Sequence, residues 1–363
     1  MQRLMACTHS TFDPASRFRV MQFIPRLRQA GWRVSLRPNR PSRPWRQLNN
    51  PWIRELRNRA AGTVQRLSRA RDIRAAATFD AVLVNRDLLG INLAFEKRLL
   101  AQNPRVIFDF DDAIFLGEKA AHVEWMCRHA AWVTAGNDHL AAFAGRFTDR
   151  VTVLPTVVDV GRYLASDPAT NAQPLRVGWC GSDLSIRQTL YPYLDMLARL
   201  QTRLGFAFVI MSKPRPKLPK CDLRWHFVPW SQHAERHLAA HMDIGVMPLV
   251  DDEFQRGKCG AKILLYMAAG IPAVASPIGV NTRIIQHGQN GYLAGSEAEW
   301  DMAIDTLLRS RQQRSAIGQA GKASCAREYS LERWFPVLLH LLESVAAGRR
   351  PRVQAVAEAR GIG

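Results

Sequence analysis

Arg256-Gly257-Lys258-Cys259-Gly260-Ala261-Lys262-Ile263-Leu264-Leu265-Tyr266-Met267-Ala268-Ala269-Gly270-Ile271-Pro272-Ala273-Val274-Ala275-Ser276 decides the fold, because it runs a glycine-spaced cationic loop into a helix and the helix into a buried strand. The helix is predicted over 257–269. Gly270 stops it, Pro272 prevents a restart, and Ala273-Val274-Ala275 has the short apolar form of a strand covered on both faces. Such a unit makes an anion site. Gly257 and Gly260 let the backbone approach a ligand, the helix start directs N–H groups and a positive dipole end at it, and Arg256, Lys258 and Lys262 add full charge. A phosphate suits those donors. The same residue types would also serve an ordinary helix–strand unit with a solvated basic face.

Working outward, short apolar runs alternate with helical patterns along the whole chain, the sequence form of a doubly wound parallel sheet. The first half offers strands at Leu4–Cys7, Arg33–Leu36, Ala81–Asn85, Val106–Phe110, Trp132–Ala135 and Val151–Pro155. A helix is predicted over Arg19–Ala30 with Gly31 at its end, and Asn137 is placed to cap a helix running through Phe143. The segment 161–174 mixes Asp, Pro, Asn and Ser without periodicity, which marks a linker. Beyond it the alternation restarts: strands at Arg176–Cys180, Phe206–Met211, Arg224–Val228, Ile244–Leu249 and Ala273–Ser276, with helices over Ile186–Leu204, 231–240, 297–310 and 311–327. The expected organisation is a first α/β domain over 1–160, a second over 175–330, an apolar final helix within 331–348 and a loose basic tail over 349–363.

Composition narrows the function. The 363 residues exceed one ordinary core, and no run of about 18 apolar residues or basic-then-apolar leader is present, so neither a membrane span nor a secretory signal is expected and the chain is assigned to the cytoplasm. Six scattered cysteines without a C-x-x-C pair argue against a zinc site or a disulfide framework, and His233-x-x-x-His237 lacks further ligands. No P-loop, G-x-G-x-x-G or G-x-S-x-G motif occurs. The net charge of +19 calls for an anionic partner, and eleven arginines between Arg37 and Arg74 stand against Glu55 and Asp72. Trp45, Trp52, Ile53, Leu56, Val64 and Leu67 interleave with them, as in an amphipathic helix on an anionic membrane face. A solvated basic helix has the same composition. Nucleic acid is not expected as a partner, since no recognition signature accompanies the charge.

Ligands of parallel sheets bind at the carboxyl ends of the strands, so site candidates follow each apolar run. These are Ser16, Arg17 and Arg19 after the first strand; Asp109, Asp111 and Asp112 after Val106–Phe108; Gly178, Gly181 and Ser182 at the start of the second domain; and Asp251, Asp252 and Glu253 after Ile244–Leu249, ahead of the basic loop. The acidic Asp109-Phe110-Asp111-Asp112 group could hold magnesium, serve an acceptor hydroxyl as its base, or merely cap its own loop.

The quoted stretch, together with Asp243-Ile244-Gly245-Val246-Met247-Pro248-Leu249, Ser276-Pro277-Ile278-Gly279, His287-Gly288-Gln289-Asn290-Gly291-Tyr292-Leu293 and Val177-Gly178-Trp179-Cys180-Gly181-Ser182, resembles the nucleotide-sugar half of a GT-B glycosyltransferase of the retaining family 4, or group 1. Ser16-Arg17-Phe18-Arg19-Val20 with Leu27, Gly31 and Val34, and Phe108-Asp109-Phe110-Asp111-Asp112-Ala113, resemble the first half of a branch of the same family. The resemblance implies two Rossmann-like domains facing a central cleft, with the last helix crossing back to the first domain. It implies transfer of a sugar from a nucleotide diphosphate sugar to a glycan or lipid-linked hydroxyl, with no metal or other cofactor required. On this reading Asp111, Asp112 and Lys262 are catalytic; Gly178, Gly181, Ser182, Asp251, Glu253, Arg256, Gly257, Lys258, Gly260 and Lys262 bind the donor; Ser16, Arg17, Arg19 and Asp109 bind the acceptor. Residues 40–74 would touch the inner face of the cell membrane during cell-surface polysaccharide or glycolipid synthesis. The family's paired glutamates fall at Gly257 and Leu265, which present no carboxylate, and Gly178-Trp179-Cys180-Gly181-Ser182 stands where the family places an arginine and a lysine.

Overall fold

The structure, a computed structural model, describes residues 1–39, 51–90, 93–164 and 173–352, and of residues 51 and 53–59 the backbone alone. The chain divides into two compact units, one comprising Met1–Thr156 and the segment from Trp334 onward, the other Val157–Arg333. The boundary lies ahead of the expected linker, of which residues 165–172 fall outside the described residues. The chain rejoins the first unit inside the helix Leu331–Ala346. Most of the expected tail, residues 353–363, also falls outside.

The first unit holds a six-stranded parallel sheet of β1 (Gln2–Thr8), β2 (Trp32–Pro38), β3 (Ala81–Asn85), β4 (Val106–Phe110), β5 (Trp132–Ala135) and β6 (Val151–Val153), in the order β2-β1-β3-β4-β5-β6. Every residue of β3, β4 and β5 is buried, as expected where helices cover both faces. The expected helix over Arg19–Ala30 is broken into an irregular turn at Ser16–Val20, a tight turn at Met21–Phe23 and a regular helix Ile24–Gln29. Pro25 is the local reason: it can start a helix but cannot donate into one already running. Gly31, at φ 86°, ends that helix as expected, and Asn137 caps Asp138–Gly145 by accepting from Leu140 N–H at 2.9 Å.

The second unit repeats the plan with β7 (Arg176–Ser182), β8 (Ala207–Lys213), β9 (Trp225–Pro229), β10 (Ile244–Met247), β11 (Ala273–Ala275) and β12 (Tyr292–Leu293), ordered β12-β11-β10-β7-β8-β9 and parallel throughout. Its core packs Val177 and Trp179 of β7 with Leu197, Trp300 and Ile304 of the covering helices. The expected helix Ile186–Leu204 is two helices, Asp183–Thr189 and Leu194–Leu204, separated at Pro192, which has no N–H to continue the ladder. The expected helix over 257–269 also divides: Glu253–Arg256 forms one short turn, capped by Asp252, and Ala261–Ala268 forms the helix proper. β12 has only two residues, too few to show a period.

In each sheet the strand order reverses once, between β1 and β3 in the first and between β7 and β10 in the second. Parallel sheets open a crevice at such a reversal, outside the carboxyl ends of the two strands. Among the described residues no helix is long and apolar enough to cross a membrane.

Candidate functional site

In the second unit β7 and β10 pair at only two positions, Val177 with Ile244 and Gly178 with Gly245. Past them the backbones are joined through a side chain: Cys180 N–H donates to the Tyr266 hydroxyl at 3.1 Å, and that hydroxyl lies 3.2 Å from the Val246 carbonyl, to which it donates. Tyr266 is fully buried, and burial drives its pKa well above the ordinary phenol value, so the proton it shares with Val246 stays in place. Gly245 makes this possible, because a Cβ there would lie 2.3 Å from the Tyr266 ring. Tyr266 thus props the reversal point open.

Lys262 fills the opening. It projects from the first turn of Ala261–Ala268, places its ammonium 2.9 Å from Ser185 Oγ on the helix after β7, and lies 5.1 Å from the centre of the Trp179 ring. Gly181, at the end of β7, leaves the room: an added Cβ would meet Trp179 at 2.5 Å and Lys262 Cε at 3.0 Å. Gly260 starts the helix in the left-handed conformation, φ 67°, with a Cβ position 2.2 Å from Ile284 Cδ1. The result is a full positive charge and a helix N-terminus at the carboxyl edge of the reversal point, an arrangement suited to an anion.

The other donor-side candidates divide. Gly178 sits inside β7, where a Cβ would lie 2.6 Å from Met242, so packing accounts for this glycine. Gly257, at φ −75°, holds a conformation open to any residue; of the two loop glycines only Gly260 needs to be one. Arg256 is exposed and grips Asp251 through two bonds of 2.7 and 3.0 Å, which hold that carboxyl below its usual range. Asp252 caps Glu253–Arg256 through Gln255 N–H at 2.7 Å, and Glu253 is exposed in that turn. Lys258 packs its ammonium 4.7 Å from the Phe254 ring centre, and Ser182 caps the helix after β7 through Ser185 N–H. Leu265 is buried, so neither position of the family's glutamate pair offers a carboxylate.

The expected acceptor residues lie in the first unit. Asp109 is the penultimate residue of β4 and lies level with Asn85 of β3 and Thr134 of β5. Its carboxylate accepts from Arg19 Nε and Nη2 at 3.2 and 2.5 Å, from Asn85 Nδ2 at 2.8 Å and from Thr134 Oγ1 at 2.6 Å, while Arg19 Nη1 donates to the Leu154 carbonyl. Both charged side chains are about 2% exposed or less, so Arg19 and Asp109 form an internal clasp across the sheet edge instead of a surface for a ligand. Ser16 is buried too, bonded to Asp13 at 2.6 Å; burial raises the Asp13 pKa, but hydrogen bonds from Ser16 and Ser10 outweigh it and hold the carboxyl low. Arg17 is half-buried with its guanidinium 5.0 Å from the Phe18 ring centre.

Asp111 and Asp112, beyond the end of β4, are partly exposed and share Arg86, at 2.8 and 2.6 Å. Burial alone would lower the Arg86 pKa, yet the two carboxylates raise it, so the group is a permanent cation. Arg86 follows β3 directly and is the one described residue other than glycine with positive φ, 67°. Such a backbone is uncommon outside glycine and costs about 1–3 kcal/mol, so the surrounding contacts must hold it. Sequence reading passed over Arg86, Tyr266 and Ser185, because each gains its role from a partner distant in the chain. Among the described residues no three His, Cys, Asp or Glu side chains are grouped as a metal would need.

Residues 175–310 match the model of the glycosyl transferases group 1 family. The match falls wholly within the second unit and spans most of it. Among solved structures, sucrose-phosphate synthase from Thermosynechococcus elongatus superposes with a TM-score of 0.71 at 14% identity, over 96% of this chain and 100% of that one. HepE of Anabaena, in complex with UDP and glucose, gives 0.64 at 14% identity over 95% and 100%. The lipopolysaccharide outer core galactosyltransferase WaaB gives 0.62 at 11% over 94% and 99%. These likenesses establish the GT-B fold, with a Rossmann-like sheet in each unit. No curated protein matches the sequence significantly.

Proposed function

We propose that the chain transfers a glycosyl unit from a nucleotide diphosphate sugar to a hydroxyl of a glycan or lipid-linked acceptor, with retention of anomeric configuration. The observation that carries this reading is Lys262, seated over Trp179 at the β7–β10 reversal point of a group 1 domain. Breaking the bond between an anomeric carbon and a diphosphate leaves charge on the departing phosphate while the sugar becomes oxocarbenium-like. A preorganised ammonium and a helix N-terminus stabilise that charge as it develops. Lys258 and the backbone at Gly260 extend the same donor surface, and Asp111 or Asp112, oriented by Arg86, would serve the acceptor hydroxyl as base. HepE has been solved with UDP-glucose, which makes UDP-sugars the first donors to try.

Titration calorimetry with UDP-, GDP- and ADP-sugars, followed by a product assay, tests the reading. Binding with turnover of one donor is expected, and binding of none would refute it. A second reading has its own observation: with Leu265 buried, Gly257 in place of a glutamate and Asp251 tied to Arg256, the second unit offers few free carboxylates to a sugar, as in a module that binds a nucleotide without turning it over. Binding without product would select it.

For the cell-surface role, the support lies on the first unit. Helix Pro51–Ala76 buries Arg69 and Ile73 but leaves Trp52, Val64 and Leu67 between 63% and 85% exposed, beside exposed Arg66, Arg71 and Arg74. Exposed apolar side chains interleaved with arginines suit the anionic inner face of a cell membrane, from which a lipid-linked acceptor would arrive. Residues 40–50 and the side chains of Arg54 and Arg57 lie outside the described residues.

A further inference from the structure

The basic residue nearest in sequence to the end of β7, Arg187, is exposed and bound to Asp183 at 3.3 Å, so the positive charge at this edge arrives from elsewhere, on Lys262. What receives it is Ser185. We infer that Ser185 is a second donor to the sugar-side phosphate of a nucleoside diphosphate, acting as a pair with Lys262. The inference rests on the second unit being a nucleotide-sugar site.

An ammonium has only donors, so in the 2.9 Å contact the Ser185 oxygen accepts and its own O–H must point away from Lys262. Among the described residues that hydroxyl has no acceptor: the nearby Thr189 bond goes to the Ser185 backbone carbonyl, and the Ser182 cap goes to the Ser185 N–H. Ser185 is half-buried, on the side of the helix that faces Lys262, and the hydroxyl proton is left for a ligand oxygen. The Trp179 ring below the ammonium fixes the other side, and Gly181 keeps a Cβ out of the space between. Two donors, one charged and one polarised by it, therefore stand side by side at the end of β7. A tetrahedral phosphate offers two oxygens at that separation, and the pairing needs no rearrangement of the lysine. A nucleoside monophosphate lacks the outer phosphate and would engage the pair less.

Calorimetry on the full chain with UDP, GDP and ADP, each against its monophosphate, reads this directly. Ser185→Ala is expected to weaken the tightest diphosphate about tenfold while leaving its monophosphate within about twofold, the loss of one charge-assisted bond. Ser185→Thr, which restores the hydroxyl, should recover most of the affinity. If Ser185→Ala leaves diphosphate affinity unchanged while Lys262→Ala destroys it, the inference falls and the site reading stands. Equal losses for diphosphate and monophosphate would also overturn the assignment to the outer phosphate. If the unaltered chain binds none of the three diphosphates, the site reading falls and the inference with it.

Discussion

Asp109→Ala separates an internal clasp from an acceptor contact. The carboxylate accepts four hydrogen bonds, two from Arg19 and one each from Asn85 and Thr134, with almost no exposure. Removing it leaves the Arg19 guanidinium buried without its carboxylate, still donating to the Leu154 carbonyl, and takes the acceptor from two neutral donors. Breaking a buried pair from one side costs about 3–5 kcal/mol, and orphaning a neutral donor about 1–3 kcal/mol where water cannot reach it. A loss of about 4 kcal/mol in the first unit is the expected sum, because relaxation recovers part of the second contribution. Arg19→Met should cost a similar amount. The double variant Arg19→Met with Asp109→Ala should lose less than the sum of the two singles, by about 2 kcal/mol, since no unpaired charge remains. Urea unfolding followed by circular dichroism, with hydrogen exchange on the β4 amides to assign the change to the first unit, gives these numbers. Unchanged unfolding in Asp109→Ala, together with a raised KM for the acceptor, would refute the clasp and restore the ligand role.

Burial pushes the Glu96 pKa up to about 7 against an ordinary 4.5, with the buried His122 imidazole 3.7 Å away and itself pushed down by burial. A raised carboxyl pKa favours the protonated fold, so its stabilisation is full below about pH 4.5 and is lost as pH rises through 7; Glu96→Gln should therefore gain up to about 3 kcal/mol relative to the unaltered chain at pH 8 and under about 1 kcal/mol at pH 5, and an equal effect at both would refute it. Gly260→Ala combines a left-handed backbone with a contact of 2.2 Å to Ile284, so unfolding midpoints should show a loss of about 2–4 kcal/mol, and no loss would mean the loop differs from the one described. For the membrane face, Arg66, Arg71 and Arg74 changed together to Gln should reduce sedimentation with phosphatidylglycerol vesicles by about 1 kcal/mol per residue at low salt; equal pelleting on neutral vesicles would return the helix to a solvated one.

The alternation of strands and helices, the Gly270 helix stop and the cationic loop were legible in the sequence because each is a local pattern. The distinction between site and scaffold was not. Asp109 and Asp111 both follow the apolar run of β4, yet Asp109 is still inside the strand and level with Asn85 and Thr134, while Asp111 lies past its end. One or two residues decide whether a carboxylate is an internal partner or an edge group, and strand ends cannot be read from sequence to that accuracy. Tyr266 and Ser185 were hidden for a different reason. Tyr266 bonds to Cys180 across 86 residues and Lys262 to Ser185 across 77, so their roles follow from the order β10-β7 in the sheet, which no local window contains. Arg69 shows the same limit: its place in an arginine-rich helix suggested a membrane contact, but it turns inward to the Leu88 and Arg37 carbonyls at 3.2 Å.

The measurement that bears most directly on the central claim is kcat/KM for the best nucleotide-sugar donor in Lys262→Ala against the unaltered chain, with unfolding of both followed in parallel. A leaving-group contact in a closed site is worth about 3 kcal/mol, so the account predicts a fall of about a hundredfold or more, with unfolding unchanged. Activity within a few-fold of the unaltered chain in a folded Lys262→Ala protein would contradict it, and would make the lysine over Trp179 a surface residue with no part in holding the donor.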